Sequence, residues 1–522
     1  MANGLSAVIF SVLAWTLTIF SGYLILLAIY RLYFHPLSKY PGPFLAKITD
    51  WYSVYHAWKG DRHLDFWRCH ETYGPIVRFG PSSLSFNSNT ALKTIYGHRA
   101  NVQKSQFYSV FPPTKDTYNT HSSIDKASHA RKRRVLSHAF SDGAVKSMEK
   151  YILGNVRTFC SRLGETKGEK GWSAPQNMAD WCNYLTFDVM GDLCFGKAFE
   201  MLEHEENRRV IDLIGNAAHM HLIKKLGTYP MIKTLGLNKV LFKKIYNMRM
   251  QYMAYSKAQA AERSKIGLDT DRKDFFFYLL NARDPETGKG FSPQELWGES
   301  NLLIIAGSDT TSTALASAFF YLPHNPRTLQ KLTDEIRSTF SEVEDIKSGP
   351  ALNSCTYLRA VIDEGMRLSP PVGGMLPREV LSGGIDIDGV HVPEGIVVGA
   401  PHYTLHHNPA YYPAPFAFNP ERWIAGSSPE VTEETVAIAQ SAFCPFSVGP
   451  RGCIGKGLAY TELSESLARA VFMYDMKLAE GVRIGEGSSG AEWGRQRTEE
   501  YQLKDSFTSW KDGPYVQFRA RA

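Results

Sequence analysis

Seven cysteines are scattered along the 522-residue chain, and one of them has neighbours unlike those of the rest. Cys453 stands in Pro445-Phe446-Ser447-Val448-Gly449-Pro450-Arg451-Gly452-Cys453-Ile454-Gly455, directly before an apolar pattern of helical period over 456–473. Three glycines and two prolines around one thiol predict a tight irregular loop that delivers Cys453 to a helix N-terminus. Free N–H groups and the helix dipole there favour a thiolate, with Arg451 nearby as added positive charge, so the residue is a candidate metal ligand or nucleophile. A second candidate is Ala306-Gly307-Ser308-Asp309-Thr310-Thr311, which interrupts an apolar run with a glycine, a carboxylate and hydroxyls. In an ordinary helix these are poor choices: glycine costs ~1 kcal/mol against alanine, and a threonine hydroxyl competes for a carbonyl one turn back. A third is Glu364-x-x-Arg367, an acid and a base on one helical face; standing alone it would be a routine surface ion pair.

The elements that must position these residues are mostly helical. The clearest helix opens at Ser292-Pro293-Gln294-Glu295, with Ser292 as cap and Glu295 closing a capping box, and is predicted to run to about Tyr321. Alternating patterns near Ile76 to Phe86 and from Ile385 to Val392 predict short strands, so the fold class is mainly α with a small β-rich region. From Leu5 to Tyr30 the chain carries no charge, enough as a helix to cross a bilayer core of ~30 Å. Arg31 follows directly, without the basic start and small-residue cleavage site of a removable leader. Arg31, Lys39 and Lys47 all follow the span, which predicts a single pass with the remainder in the cytosol. The prolines of His35-Pro36-Leu37-Ser38-Lys39-Tyr40-Pro41-Gly42-Pro43 then read as a stiff hinge, giving residues 1–34 as anchor and start of hinge and 35–522 as one large domain. With 43% apolar and 21% charged residues the body can bury a core; a net charge of +6 without a dense Lys/Arg run interleaved with aromatics argues against nucleic-acid binding. Scattered, odd-numbered cysteines with no CxxC pair fit a reducing compartment.

Phe446-x-x-Gly449-x-Arg451-x-Cys453-x-Gly455 resembles the haem-binding loop of the cytochrome P450 family. Ala306 to Thr311 resembles that family's oxygen-activating stretch, Glu364-Gly365-Met366-Arg367 its E-x-x-R pair, and Phe418-Asn419-Pro420-Glu421-Arg422-Trp423 the segment whose arginine joins that pair. The motifs occur in the family's order and span nearly the whole chain. The resemblance implies a cytochrome P450 fold behind one transmembrane helix and a cofactor of haem b, with Cys453 as axial iron ligand and Phe446 and Arg451 beside it. It implies Asp309 and Thr310 in oxygen activation, Glu364, Arg367 and Arg422 as a structural network, and His129, Arg133 and Arg378 as partners of the haem propionates. Substrate contacts are expected around Phe107 to Ile124, around His204 to Tyr229, and at Ile304 and Ile305. The implied activity is insertion of one oxygen atom from O2 into a hydrophobic small molecule, by hydroxylation or a related oxidation; epoxidation, ring coupling and multi-step oxidation stay open within the same fold. Electrons are expected from a separate NADPH-cytochrome P450 reductase, with cytochrome b5 as a further partner, and the other cations of 131–134 with Lys456 as a docking face. The flavour of both termini is similar to fungal microsomal members, which implies the endoplasmic reticulum membrane and the tailoring of a secondary metabolite. Two readings of another class are a haem carrier without turnover, disfavoured by the intact Asp309-Thr310 pair, and a zinc scaffold, disfavoured because no further ligand lies close to Cys453.

Overall fold

The computed structural model describes residues 2–112, 117–165, 168, 171–208, 211, 243–268 and 271–521. Its first helix, Ala2–Ile29, continues into a π turn at Tyr30–Phe34. Residues Ala7–Phe34 are long and apolar enough to cross a membrane and their most apolar stretch is unburied, which suggests a membrane anchor. The segment after it, read from sequence as a stiff hinge, is docked to the body. Leu37 and Tyr40 are buried among Leu84, Phe86 and Leu92, and the Arg31 guanidinium donates to the Ile48 carbonyl at 2.5 Å. The prolines stiffen this stretch, but burial of its two apolar side chains is what holds it in place.

The body is built on a helix at Pro293–His324, capped by the predicted box: Ser292 accepts from Glu295 N–H, and the Glu295 carboxylate accepts from Ser292 N–H. It runs past Tyr321 to His324, since Pro323 is tolerated in its last turn. Its second half, Thr311 to Leu322, is buried, which makes this the core helix of the body although its length and apolarity would also suit a membrane. Packed around it are helices Met178–Phe195, Thr356–Leu368 and Lys456–Met473, whose buried faces share one apolar core with it.

The predicted β signals form small sheets. Ile76–Gly80 pairs antiparallel with Ser83–Phe86, which pairs parallel with Val397–Gly399; Arg378–Val380 and Val102–Lys104 complete a five-stranded sheet. Ile385–Ile387 and Val390–Val392 form a hairpin closed by Asp388-Gly389, both at positive φ, the backbone that a two-residue turn of this hand requires. The register of the five-stranded sheet sets Lys104 directly opposite Arg378. A last hairpin, Lys504–Ser506 with Thr508–Trp510, turns through Phe507 at φ 81° and lies against the long helix.

Candidate active site

The loop before Lys456–Met473 closes on itself. Cys453 N–H donates to Phe446 O at 2.8 Å, Gly452 N–H to Gly449 O at 2.9 Å and Ser447 N–H to Cys444 O at 2.9 Å. Gly449 is required: at φ 70° a Cβ there would lie 2.0 Å from the Tyr96 carbonyl oxygen. The loop brings Cys453 to the wall of a cavity of about 380 Å³, and among the seven cysteines it is the exposed one, the other six being buried. Burial pushes the Cys453 thiol up, while the Gly455 N–H and the Arg133 and Lys456 charges pull it down. The cations acting on the thiol are thus Arg133 and Lys456, not Arg451 as expected. The Arg451 guanidinium reaches across to the carbonyls of Ser123, at 2.7 Å, and Ile124, at 3.0 Å, because adjacent odd positions of an irregular loop do not share a direction. Phe446 lines the cavity and packs on Tyr460 with the two rings tilted at 46°.

His129 and Arg133, one turn apart on helix Lys126–Ser137, both line the cavity, and Arg133 donates to Gly452 O at 2.8 Å. Arg378 is buried nearby, donating to the Tyr108 hydroxyl at 3.2 Å. Lys104, which the sequence reading passed over, joins them, its ammonium donating to the carbonyl of His121, a residue of the expected substrate-contact segment. Their mutual repulsion is visible in their titration. Burial and then Arg451, Lys104, Arg133 and Arg378 depress His129 to about 3; burial and then Arg378 and Arg451 hold Lys104 well below its usual range. Burial and Arg378 bring Arg451 down to about 10. No local pattern in Val102-Gln103-Lys104 marks it as a site residue; only cross-strand pairing with Arg378 brings it there.

The rest of the basic run behaves differently. Arg131 and Lys132 pair with Glu295, and Arg134 pairs with Asp284 and Glu286. These cations are therefore engaged in ion pairs within the chain, with Arg131 and Arg134 still partly exposed. Lys456 is exposed.

The opposite wall comes from the long helix, through Ile305, Ala306, Gly307, Thr310 and Thr311. Thr310 Oγ1 donates back to Ala306 O at 2.7 Å, the predicted one-turn contact. Asp309 is not on the wall: its Oδ2 accepts from the Thr508 hydroxyl at 2.9 Å. Ile305 lines the cavity, whereas Ile304 is fully buried in the core. Of the expected substrate-contact segments, Phe111, Asn119, Thr120 and His121 line the cavity, while Phe107 and Tyr108 pack in an aromatic cluster with Phe111 and Phe507. The stretch from His204 to Tyr229 lies, apart from 204–208 and 211, outside the described residues.

Glu364, Arg367 and Arg422 do come together. Arg367 donates to both Glu364 oxygens at 2.8 Å and Arg422 Nε to Oε1 at 3.0 Å; Asn419 N–H and the Trp423 indole, which was not singled out, fill the remaining lone pairs. The remaining Arg367 donors reach the carbonyls of His406, Pro415 and Ala417. Despite burial, these partners hold the Glu364 carboxyl below its usual range.

The cytochrome P450 sequence profile matches residues 40–490. The chain is 43% identical over 505 residues to the cytochrome P450 monooxygenase AKT7 of Alternaria alternata, covering 95% of each. It is 41% identical to the cytochrome P450 monooxygenase apf7 of Gibberella fujikuroi, covering 95% of this chain and 96% of that protein. The crystal structure of the cytochrome P450DA haem domain superposes with a TM-score of 0.69 at 19% identity, over 88% of this chain and 92% of that one, so the folds agree.

Proposed function

Since the chain belongs to the cytochrome P450 family and is by that membership a haem-thiolate monooxygenase, we propose that Cys453 is the axial ligand of a haem b and that the cavity above it oxidises a hydrophobic small molecule. The observation that carries the reading is the pairing of the one cavity-facing thiol with a rim of basic side chains that form no ion pair with an acid among the described residues. A flat apolar group with two acidic arms answers both features: its carboxylates would compensate His129, Arg133 and Arg378, with Lys104, His121 and Arg451 close by. Phe446 would pack beside the thiolate.

The bound haem supplies reductive activation of O2, one oxygen atom entering the substrate and the other leaving as water; thiolate ligation favours O–O cleavage, and this family is the standing example of it. Thr310, having spent its proton on Ala306 O, offers an acceptor lone pair to the cavity. Asp309 supplies protons from the helix turn beside it. Apolar walls, including Leu302, Ile305 and Leu376, favour a hydrophobic substrate and exclude bulk water.

Electrons come from NADPH-cytochrome P450 reductase, with cytochrome b5 as a second donor, and exposed Lys456 beside the loop suits an acidic partner. Residues 1–34 anchor the catalytic domain, 35–522, to the cytosolic face of the endoplasmic reticulum membrane; the basic residues that follow the span support this orientation. The fungal relatives support a secondary metabolite as the molecule tailored. The test is a carbon monoxide difference spectrum of the dithionite-reduced protein. A strongly red-shifted Soret band, lost in Cys453→Ala, is expected; folded wild-type protein without that band overturns the reading.

A further inference from the structure

Asp309 is removed from the cavity by its own geometry. The cavity wall includes Gly307, Thr310 and Thr311 from its helix, but not Asp309, whose carboxylate is held by Thr508 on the hairpin. Thr508 itself lines the cavity, and its hydroxyl is bonded to the acid, so one residue borders both Asp309 and the space where chemistry is proposed.

The hairpin is fastened to this helix turn at several points. Thr313 Oγ1 donates to Ser509 O at 3.1 Å, and the Lys511 ammonium donates to Ser312 Oγ at 2.8 Å and to Asn183 Oδ1 at 2.8 Å. Ser312 and Thr313 hydroxyls in turn donate to the Asp309 carbonyl, at 3.0 and 2.8 Å. Lys511 is buried, which pushes its pKa down, while the nearby Asp309 carboxylate acts against that shift. Phe507 sits at φ 81°, a conformation a bulky residue adopts only when its surroundings impose it, and it is this turn that presents Thr508 to Asp309.

We propose that Thr508 is the hydroxyl through which Asp309 reaches the cavity, with Ser509 and Lys511 clamping the hairpin in the required position. This rests on the reading of Asp309 as the proton source. In the step, the Asp309 carboxyl proton moves to Thr508 Oγ1 as the Thr508 hydroxyl hydrogen passes to an oxygen in the cavity. Thr508 ends as it began, Asp309 is left as a carboxylate, and the half-buried acid regains its proton from solvent. No electron moves in this step; one proton is delivered for each pass.

The test uses the full haem-loaded chain with reductase and NADPH, and styrene as a small apolar probe. Thr508→Val keeps the shape and removes the hydroxyl; Thr508→Ser keeps the hydroxyl; Asp309→Asn reports on the underlying reading. Thr508→Val is expected to lower styrene oxide formed per NADPH roughly tenfold, with matching peroxide release. That is less than the ~10²-fold a positioned proton donor contributes, because water partly fills in. Thr508→Ser should restore coupling. Turnover driven by iodosylbenzene, which delivers an oxygen atom without needing protons, should be unchanged in Thr508→Val. Normal coupling in Thr508→Val alongside uncoupled Asp309→Asn removes Thr508 from the route. Normal coupling in Asp309→Asn removes the Asp309 reading instead. Equal loss of iodosylbenzene-driven turnover, or loss of the carbon monoxide band, in Thr508→Val makes Thr508 a pocket-shaping residue and overturns the proposal.

Discussion

Behind the cavity Arg367 and Arg422 converge on one carboxylate, and every Glu364 lone pair is met by an N–H donor. At the cavity rim Lys104, His129, Arg133, Arg378 and Arg451 form no ion pair with a carboxylate among the described residues; those with hydrogen bonds donate to carbonyls and a tyrosine hydroxyl and repel one another. The residue types are alike and both groups are buried or partly buried, yet only one has a carboxylate at its centre. A buried charge is tolerated when paired and costly when not. The difference separates an arrangement that stabilises the protein by itself from one that becomes favourable only with an anionic ligand bound.

The comparison is open to attack from both sides. Glu364→Ala strands two buried guanidinium groups and should cost ~3–5 kcal/mol, the range for removing one partner of a buried pair. Expression of soluble, haem-loaded protein should collapse, and a thermal melt within a few degrees of wild type would show the network to be dispensable. Arg378→Leu should have the opposite signature. It relieves repulsion in the haem-free protein, so that form should be no less stable, while haem loss to excess apomyoglobin should accelerate about tenfold or more, as loss of a ~1.5–3 kcal/mol charged hydrogen bond requires. If instead the apoprotein is destabilised and haem loss is unchanged, Arg378 is a structural residue like Arg367.

The smallest effect is one of pH. His129 titrates at about 3 in the folded chain against 6.5 in the unfolded one, so between those values the unfolded state binds a proton that the folded state refuses. Stability of the haem-free protein should therefore fall as pH drops from 6.5. Glu364, depressed in the folded state, loses its contribution only below its ordinary value near 4.5, and because burial also depresses His63, His70 and His402, the His129 share of the slope from 6.5 to 5 is read as the difference from His129→Gln. Urea midpoints at pH 7.5 and pH 5 should differ more for the haem-free than for the haem-loaded protein, since an anion beside His129 lifts its pKa back. Equal pH dependence of the two forms would mean that no anion binds there.

What could be read without the fold follows a physical pattern. The Cys453 loop was legible because glycines, prolines and a following helix specify its shape locally, and Gly449 shows how strictly. The capping box at Ser292 and the Asp388-Gly389 hairpin turn are likewise set by neighbours in sequence. The spacing of Glu364 and Arg367 places both on one helical face, and the segment that brings Arg422 and Trp423 carries its own sequence signature. The direction of Arg451, the ion pairs of Arg131, Lys132 and Arg134, and the docking of Leu37 and Tyr40 were misread or unread because each depends on a partner far along the chain. Lys104 reaches the cavity through its register with Arg378, and Thr508 reaches Asp309 through a hairpin 199 residues away. Local sequence therefore determined the thiol's loop, the helix opposite it and the class of chemistry, since these rest on backbone preferences over a few residues. Only tertiary packing decided which charges stay unpaired and which hydroxyl meets which acid, because compensation of a buried charge is settled by whatever the fold brings within a few ångströms.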